Sequence, residues 1–181
     1  MPIVKEKEYW FIVKAGYSKI MFRQTREPEE PFYHFAFNIP ENQLQDAKRW
    51  LAPRVKLIEK DGKDEFSLEN WNAHALYFLD PVGNIVEFVA RHNLKNASTK
   101  PFSSKSLLCV SEIGYPAEDV RLFSDAVKAE LNLKLWRGDG RKFAAVGDEN
   151  GLVIIVPIGR PWFPTDIPAE DFPLGVDPVN G

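Results

Sequence analysis

The sequence predicts an α+β protein built from repeated β-α-β-β-β modules with curved mixed sheets, the first module truncated to a hairpin. Three observations predict it. Short runs rich in aromatic and β-branched residues dominate the chain, and only two stretches carry a helical period. The strand HFAFNI leads through Pro40 into the first helix, and SEIGY leads through Pro116 into the second. The hairpin turns of the two units match, Asp80-Pro81-Val82-Gly83 against Asp148-Glu149-Asn150-Gly151, at an offset of 68 residues. Recurrence in the same order marks an internal repeat.

Taken in order, residues 9–13 and 19–24 (YWFIV and KIMFRQ) read as a hairpin. It looks like a third hairpin of this kind whose own β-α-β part is absent, either by truncation or because the protein has shed it. A lone two-stranded hairpin is marginal in water, so it must dock on a neighbour. Residues 34–39 form the opening strand of the first complete unit. Residues 41–51 form its helix, with Leu44, Ala47 and Leu51 on one face and Pro53 just beyond. Strands follow at 55–59, 75–79 and 85–90. The second unit has strands at 107–113, 142–146 and 152–156. Its helix spans 117–131, with Val120, Phe123, Val127 and Leu131 at helical spacing. The opening strands are offset by 78 residues, so the first unit carries about ten extra residues around 60–72. The expected organisation is 1–95 for the hairpin and first unit and 96–106 for a polar linker. Residues 107–181 hold the second unit and a proline-rich arm, laid over the core through Trp162, Phe163, Phe172 and Leu174.

Composition bounds the function. At 181 residues, 44% hydrophobic and 27% charged, the chain is long enough to bury a core without staples. Net charge is −3 and no basic stripe appears, which argues against a nucleic-acid partner. Cys109 is the only cysteine, which suits a reducing cytoplasm. The N-terminus lacks signal-peptide features, and the longest apolar run, residues 152–158, is too short to span a bilayer. The exposed edges of the orphan hairpin predict a homodimer.

One acid stands out. Glu87 sits inside the apolar strand IVEFVA, where an unpaired carboxylate is costly. Side chains alternate along strands, and the first and last strands of a unit can lie side by side. An inward His34 and an inward Glu87 would then share one divalent ion. Imidazole plus carboxylate suits Mn, Fe, Co, Ni or Zn. The 78-residue offset carries His34 onto Glu112, and the 68-residue offset carries Glu87 onto Ile155. The second unit thus keeps one candidate ligand and has lost the other. If the units pair face to face, His34, Glu87 and Glu112 meet in one cup. Three protein ligands with open positions is a catalytic pattern. Tyr77 has the parity to line that cup beside Glu87.

LYFLDPVGNIVEF resembles the vicinal oxygen chelate superfamily, which includes glyoxalase I, the bleomycin and fosfomycin resistance proteins and the extradiol dioxygenases. The matching positions are Leu76, Tyr77, Asp80, Pro81, Gly83 and Glu87. His34 matches the first-strand metal histidine of that superfamily, and Glu87 matches its last-strand metal glutamate. The resemblance covers residues 33–91 well and 107–160 more weakly. It implies paired modules, one divalent metal per cup and a small oxygen-rich substrate. Implied chemistries are glyoxalase-like isomerisation and thiol addition to an epoxide, with Glu112 as base or third ligand and Tyr77 at the catalytic centre. The bleomycin-resistance branch implies the alternative, a metal-free module that sequesters a ligand. The dioxygenase signature expects a histidine several residues before Leu76, and residues 68–70 supply none, so ring cleavage is disfavoured. His74 falls on the face opposite Tyr77. Arg91 and His92 read as surface residues after the strand. Trp71, Trp136 and Trp162 are candidates for a pocket wall or for packing. Asp148 to Gly151 reads as a hairpin turn, since EF-hand spacing is absent.

Overall fold

The computed structural model describes residues 1–25 and 30–177, so the last four residues of the expected arm lie outside it. Strands β1 (Ile3–Lys7), β2 (Trp10–Ala15) and β3 (Ser18–Arg23) form a separate antiparallel sheet in that order. The expected hairpin therefore has a third strand. Its sequence, IVKEK, alternates charge and is exposed throughout. No hydrophobic face marks it, because backbone pairing with β2 alone makes it a strand.

The main sheet has eight strands: β4 (His34–Ile39), β5 (Phe66–Leu68), β6 (Ala73–Leu79), β7 (Ile85–Arg91), β8 (Cys109–Ala117), β9 (Leu135–Gly138), β10 (Ala144–Asp148) and β11 (Gly151–Pro157). Their order is β5-β6-β7-β4-β8-β11-β10-β9. With helices α1 (Leu44–Leu51) and α2 (Val120–Leu131), each half reads β-α-β-β-β. Within each half the first and last strands run parallel and adjacent, β4 with β7 and β8 with β11. The halves join where β4 and β8 pair antiparallel. The result is a curled, mixed half-barrel with two helices on its outer side, an α+β fold.

Strand parity divides the sheet. Phe35, Phe37 and Ile39 of β4 join Val86, Phe88 and Ala90 of β7 beneath Ala47 and Leu51 of α1. Val153 and Ile155 of β11 join Ala144 and Val146 beneath Val120, Phe123 and Val127 of α2. The concave side receives the alternate residues: His34, Ala36 and Asn38, then Ile85, Glu87, Val89 and Arg91.

Further details depart from the sequence reading, in which β9 has no counterpart. Residues 55–59 form no named strand; Leu57 makes one isolated bridge to Phe78, and Ile58 N–H donates to the Tyr77 carbonyl. The run VKLIE is apolar because Val55 and Leu57 pack on one cluster and Ile58 on another. The edge strand is instead β5, supplied by the extra residues, and it pairs with β6.

The three-stranded sheet docks at the start of β8. Tyr17 N–H donates to the Leu108 carbonyl at 3.1 Å, and Val110 N–H donates to Ser18 Oγ at 3.0 Å. Gly16 has φ +57°, and a Cβ there would lie 1.7 Å from the Leu108 oxygen. No rotamer relieves a clash with backbone. Gly16→Ala is expected to lift the β2–β3 turn from β8, read as faster proteolysis within residues 1–25 while the main sheet stays intact. An unchanged cleavage rate would contradict this docking.

Candidate functional site

The main sheet brings four strands' worth of polar side chains to one place. His34 opens β4 and is 6% exposed, and Glu87 in the middle of β7 is 2% exposed. Glu112 on β8 reaches the same point with the help of a bulge. The β4–β8 register shifts between Ala36, opposite Glu112, and Phe37, opposite Val110. Ser111 is the extra residue. Val110 and Ile113 both pack on the helix side despite being three apart, and Glu112 turns into the cup.

The imidazole is held by its Nδ1, which donates to the Ile85 carbonyl at 3.1 Å. That fixes Nε2 as the bare nitrogen, 3.7 Å from Glu87 Oε2. Burial pushes the His34 pKa down to about 4, against the pull of that carbonyl, so the ring is neutral at pH 7. Burial raises the Glu87 pKa well above the ordinary carboxylate range, and the Glu112 charge adds to it; Arg91 and the Tyr77 hydroxyl pull the other way. Glu87 Oε1 is buried with no hydrogen-bond partner among the described residues. Burial also raises Glu112, opposed by Arg91. Ligand atoms of His34, Glu87 and Glu112 all lie within 4.8 Å of one another.

The sequence-expected residues thus converge, with two exceptions to the detailed reading. Arg91, read as a surface residue, is 1% exposed and points into the cup. Its Nη2 donates to Glu112 Oε1, and its Nε donates to Asn38 Oδ1 at 3.2 Å. The guanidinium carbon lies 5.6 Å from the Trp71 ring and 6.0 Å from the Trp136 ring. The signal was present: residues 85, 87, 89 and 91 share one face. The expectation failed because burying a cation is costly, and its partner Glu112 is distant in sequence. The second exception is Ile155, which packs under α2. The concave position belongs to Ile154. The β10–β11 turn is tighter than the β6–β7 turn, so a fixed offset slips by one residue. The second half still has no acid there.

Tyr77 lies directly across from Glu87 in the β6–β7 register. Burial raises its pKa well above the usual phenol range, helped by both carboxylates, so the hydroxyl keeps its proton. His74 faces the other side, where its Nδ1 lies 2.8 Å from His92 Nε2, and His92 Nδ1 lies 3.2 Å from Glu41 Oε2. The C-terminal arm covers the cup. Trp162 rests on His34 with ring centroids 5.0 Å apart, and Phe163 packs on Tyr77 and Phe66. Gly114 makes this possible, since a Cβ there would sit 2.5 Å from the Trp162 ring. Under the arm a cavity of about 10 Å³ remains beside His34. A larger groove of about 400 Å³ lies at the other end, lined by Tyr17, Asn38, Leu108, Cys109 and Asn150. Asn38 connects that groove to Arg91.

No family model matches the chain. No curated protein matches it either. Solved structures do. A putative dioxygenase from Bacillus subtilis aligns at 15% identity with a TM-score of 0.54, over 83% of this chain and 51% of that one. The chain has the fold of glyoxalase- and dioxygenase-type structures. Glyoxalase I from Zea mays aligns at 15% identity with a TM-score of 0.50, over 82% of this chain and 53% of that one. The chain spans about half the length of both structures. Identity at this level establishes architecture, and one architecture hosts many activities.

Proposed function

We propose that His34, Glu87 and Glu112 bind one divalent metal and that the protein performs metal-dependent chemistry on a small oxygen-rich molecule. The carrying observation is Glu87: a buried carboxylate with an unpartnered oxygen, facing the bare nitrogen of a neutral imidazole. Ligands about 2.0–2.2 Å from a common ion stand roughly 3–4 Å apart. The 3.7 Å His34–Glu87 separation falls in that range. One nitrogen and two oxygens suit Mn, Fe, Co, Ni or Zn. When bound, such an ion supplies Lewis-acid polarisation of a substrate oxygen.

The remaining roles belong to this chain's own residues. Arg91 holds Glu112 in place and balances its charge. Glu112, its proton affinity raised by burial, would accept a proton from a substrate carbon or thiol when substrate displaces it as a ligand. Tyr77 keeps its proton and donates a hydrogen bond beside Glu87. Trp162 keeps water from the imidazole. The groove at Asn38 has the volume of a small-molecule site. Glyoxalase-like isomerisation and thiol addition to an epoxide are the reaction types this arrangement suits.

A second reading, a metal-free module that sequesters a small molecule, draws on the Arg91–Glu112 pair, which already satisfies one of the three acids and bases. Elemental analysis separates the two. After incubation with Mn, Fe, Co, Ni and Zn, the wild type is expected to hold one equivalent of metal, and His34→Ala and Glu87→Ala are expected to hold none. A wild type that stays empty would overturn the metal reading in favour of the second.

A further inference from the structure

The whole-chain charge conceals a segregation. Of the chain's 23 cations and 26 acids, residues 1–25 hold five and two. Strand register then sorts those seven by face. Lys7, Trp10 and Arg23 form one cross-strand row; Lys5, Ile12 and Met21 form the next; Lys14 and Lys19 form the third. All five cations therefore share one face of the three-stranded sheet. Glu6 pairs opposite Phe11 on the other face, and Glu8 lies in the β1–β2 turn.

The other face is the one that docks. Ala15 is fully buried in the core under α1, with Ile20 and Phe22 packed against it. The cationic face consequently looks outward. All five of its cations are exposed, and none has a carboxylate within ion-pair distance among the described residues. Lys5 instead lies over the Trp10 ring at 5.4 Å. Across the middle run Trp10, Ile12 and Met21, the last 54% exposed.

We propose that this face docks on an anionic lipid bilayer surface. Charge complementarity requires a partner rich in negative charge, and five clustered cations match the polybasic segments that anionic headgroups attract. The apolar centre selects among anionic partners. A bilayer interface accepts Ile12 and Met21 at the acyl boundary and favours a tryptophan at headgroup depth. A nucleic-acid strand would use the cations but also needs stacking rings. This face offers only Trp10, already partly covered by Lys5. The rest of the molecule is acidic and is repelled by the same surface, so docking is oriented through β1–β3. Nothing here depends on the metal site, which lies in the other sheet.

The test is co-sedimentation of the full chain with vesicles of phosphatidylcholine, with and without about one-third phosphatidylserine. Binding is expected only with the anionic lipid, and added salt should release it. Lys7→Gln combined with Lys19→Gln should lower partitioning about 30-fold, since each cation is worth about fivefold at such a surface. Met21→Ser should weaken it further, and Lys95→Gln combined with Lys142→Gln, away from this face, should leave it unchanged. Three outcomes would overturn the proposal. One is equal partitioning to both vesicles or to neither. Another is binding of single-stranded oligonucleotide, lost in the Lys7/Lys19 variant, without vesicle binding. The third is self-association lost in that variant, which would make a second copy the occupant.

Discussion

Arg91→Leu is expected to destabilise the metal-free protein by about 3–5 kcal/mol, a fall in Tm of roughly 6–20 °C at this chain length. The guanidinium is 1% exposed and makes two hydrogen bonds, to Glu112 and to Asn38. Removing it leaves the Glu112 carboxylate buried beside Glu87 with no cation to balance either. Breaking one side of a buried pair costs more than the pair is worth, because the remaining charge is stranded in a low dielectric. The double variant Arg91→Leu/Glu112→Leu should recover most of the loss, since no orphaned charge remains. Thermal or denaturant unfolding of the single and double variants checks this. A single-variant loss below about 1 kcal/mol would show that Arg91 does not hold the cup together.

Glu87→Gln is expected to act in the opposite direction, stabilising the metal-free protein at alkaline pH while abolishing metal uptake. Glu87 has a raised pKa when folded, so the folded chain retains a proton that the unfolded chain releases above its ordinary value of 4.5. Its contribution is therefore intact below that value and is lost as pH rises toward the folded pKa. The loss approaches about 1.4 kcal/mol per pH unit for one proton. His34 runs the other way: its folded pKa of about 4 lies below its ordinary 6.5, so stability falls as pH drops through that window. The two slopes oppose each other between about pH 4.5 and 6.5, and above pH 7 the histidine is neutral in both states. Unfolding followed from about pH 4.5 upward should show Glu87→Gln gaining stability relative to the wild type as pH rises, since the His34 contribution is common to both. Identical profiles would mean that Glu87 is not the strained acid.

Much of the candidate site is legible in the amino-acid sequence. Parity alone places His34 and Glu87 on one face of adjacent strands, because alternation is a property of the extended backbone. The repeat predicts that Glu112 occupies the corresponding strand of the second half. Arg91 obeys the same alternation but reads from sequence as a surface residue, because the energetic objection to a buried cation is lifted only by a partner 21 residues away. The slip from Ile154 to Ile155 has a similar origin: the two hairpins have turns of different length, so a constant offset fails at the last strand.

Local sequence determined the opening strand, helix and closing hairpin of each unit, the faces of α1 and α2, and the anomalous acid in IVEFVA, while the edge strands β5 and β9 escaped it. Those features follow from periodicity and from the cost of an unpaired carboxylate, both readable within a dozen residues. Tertiary structure alone decided three others. It put β4 beside β8, which brings Glu112 to His34 and to Arg91; it laid Trp162 over that histidine through the space Gly114 leaves; and it turned five lysines and arginines of an unremarkable N-terminus onto one outward face. Each depends on pairing between segments far apart in the chain, where strand register and bulges, rather than residue type, set which side chains meet.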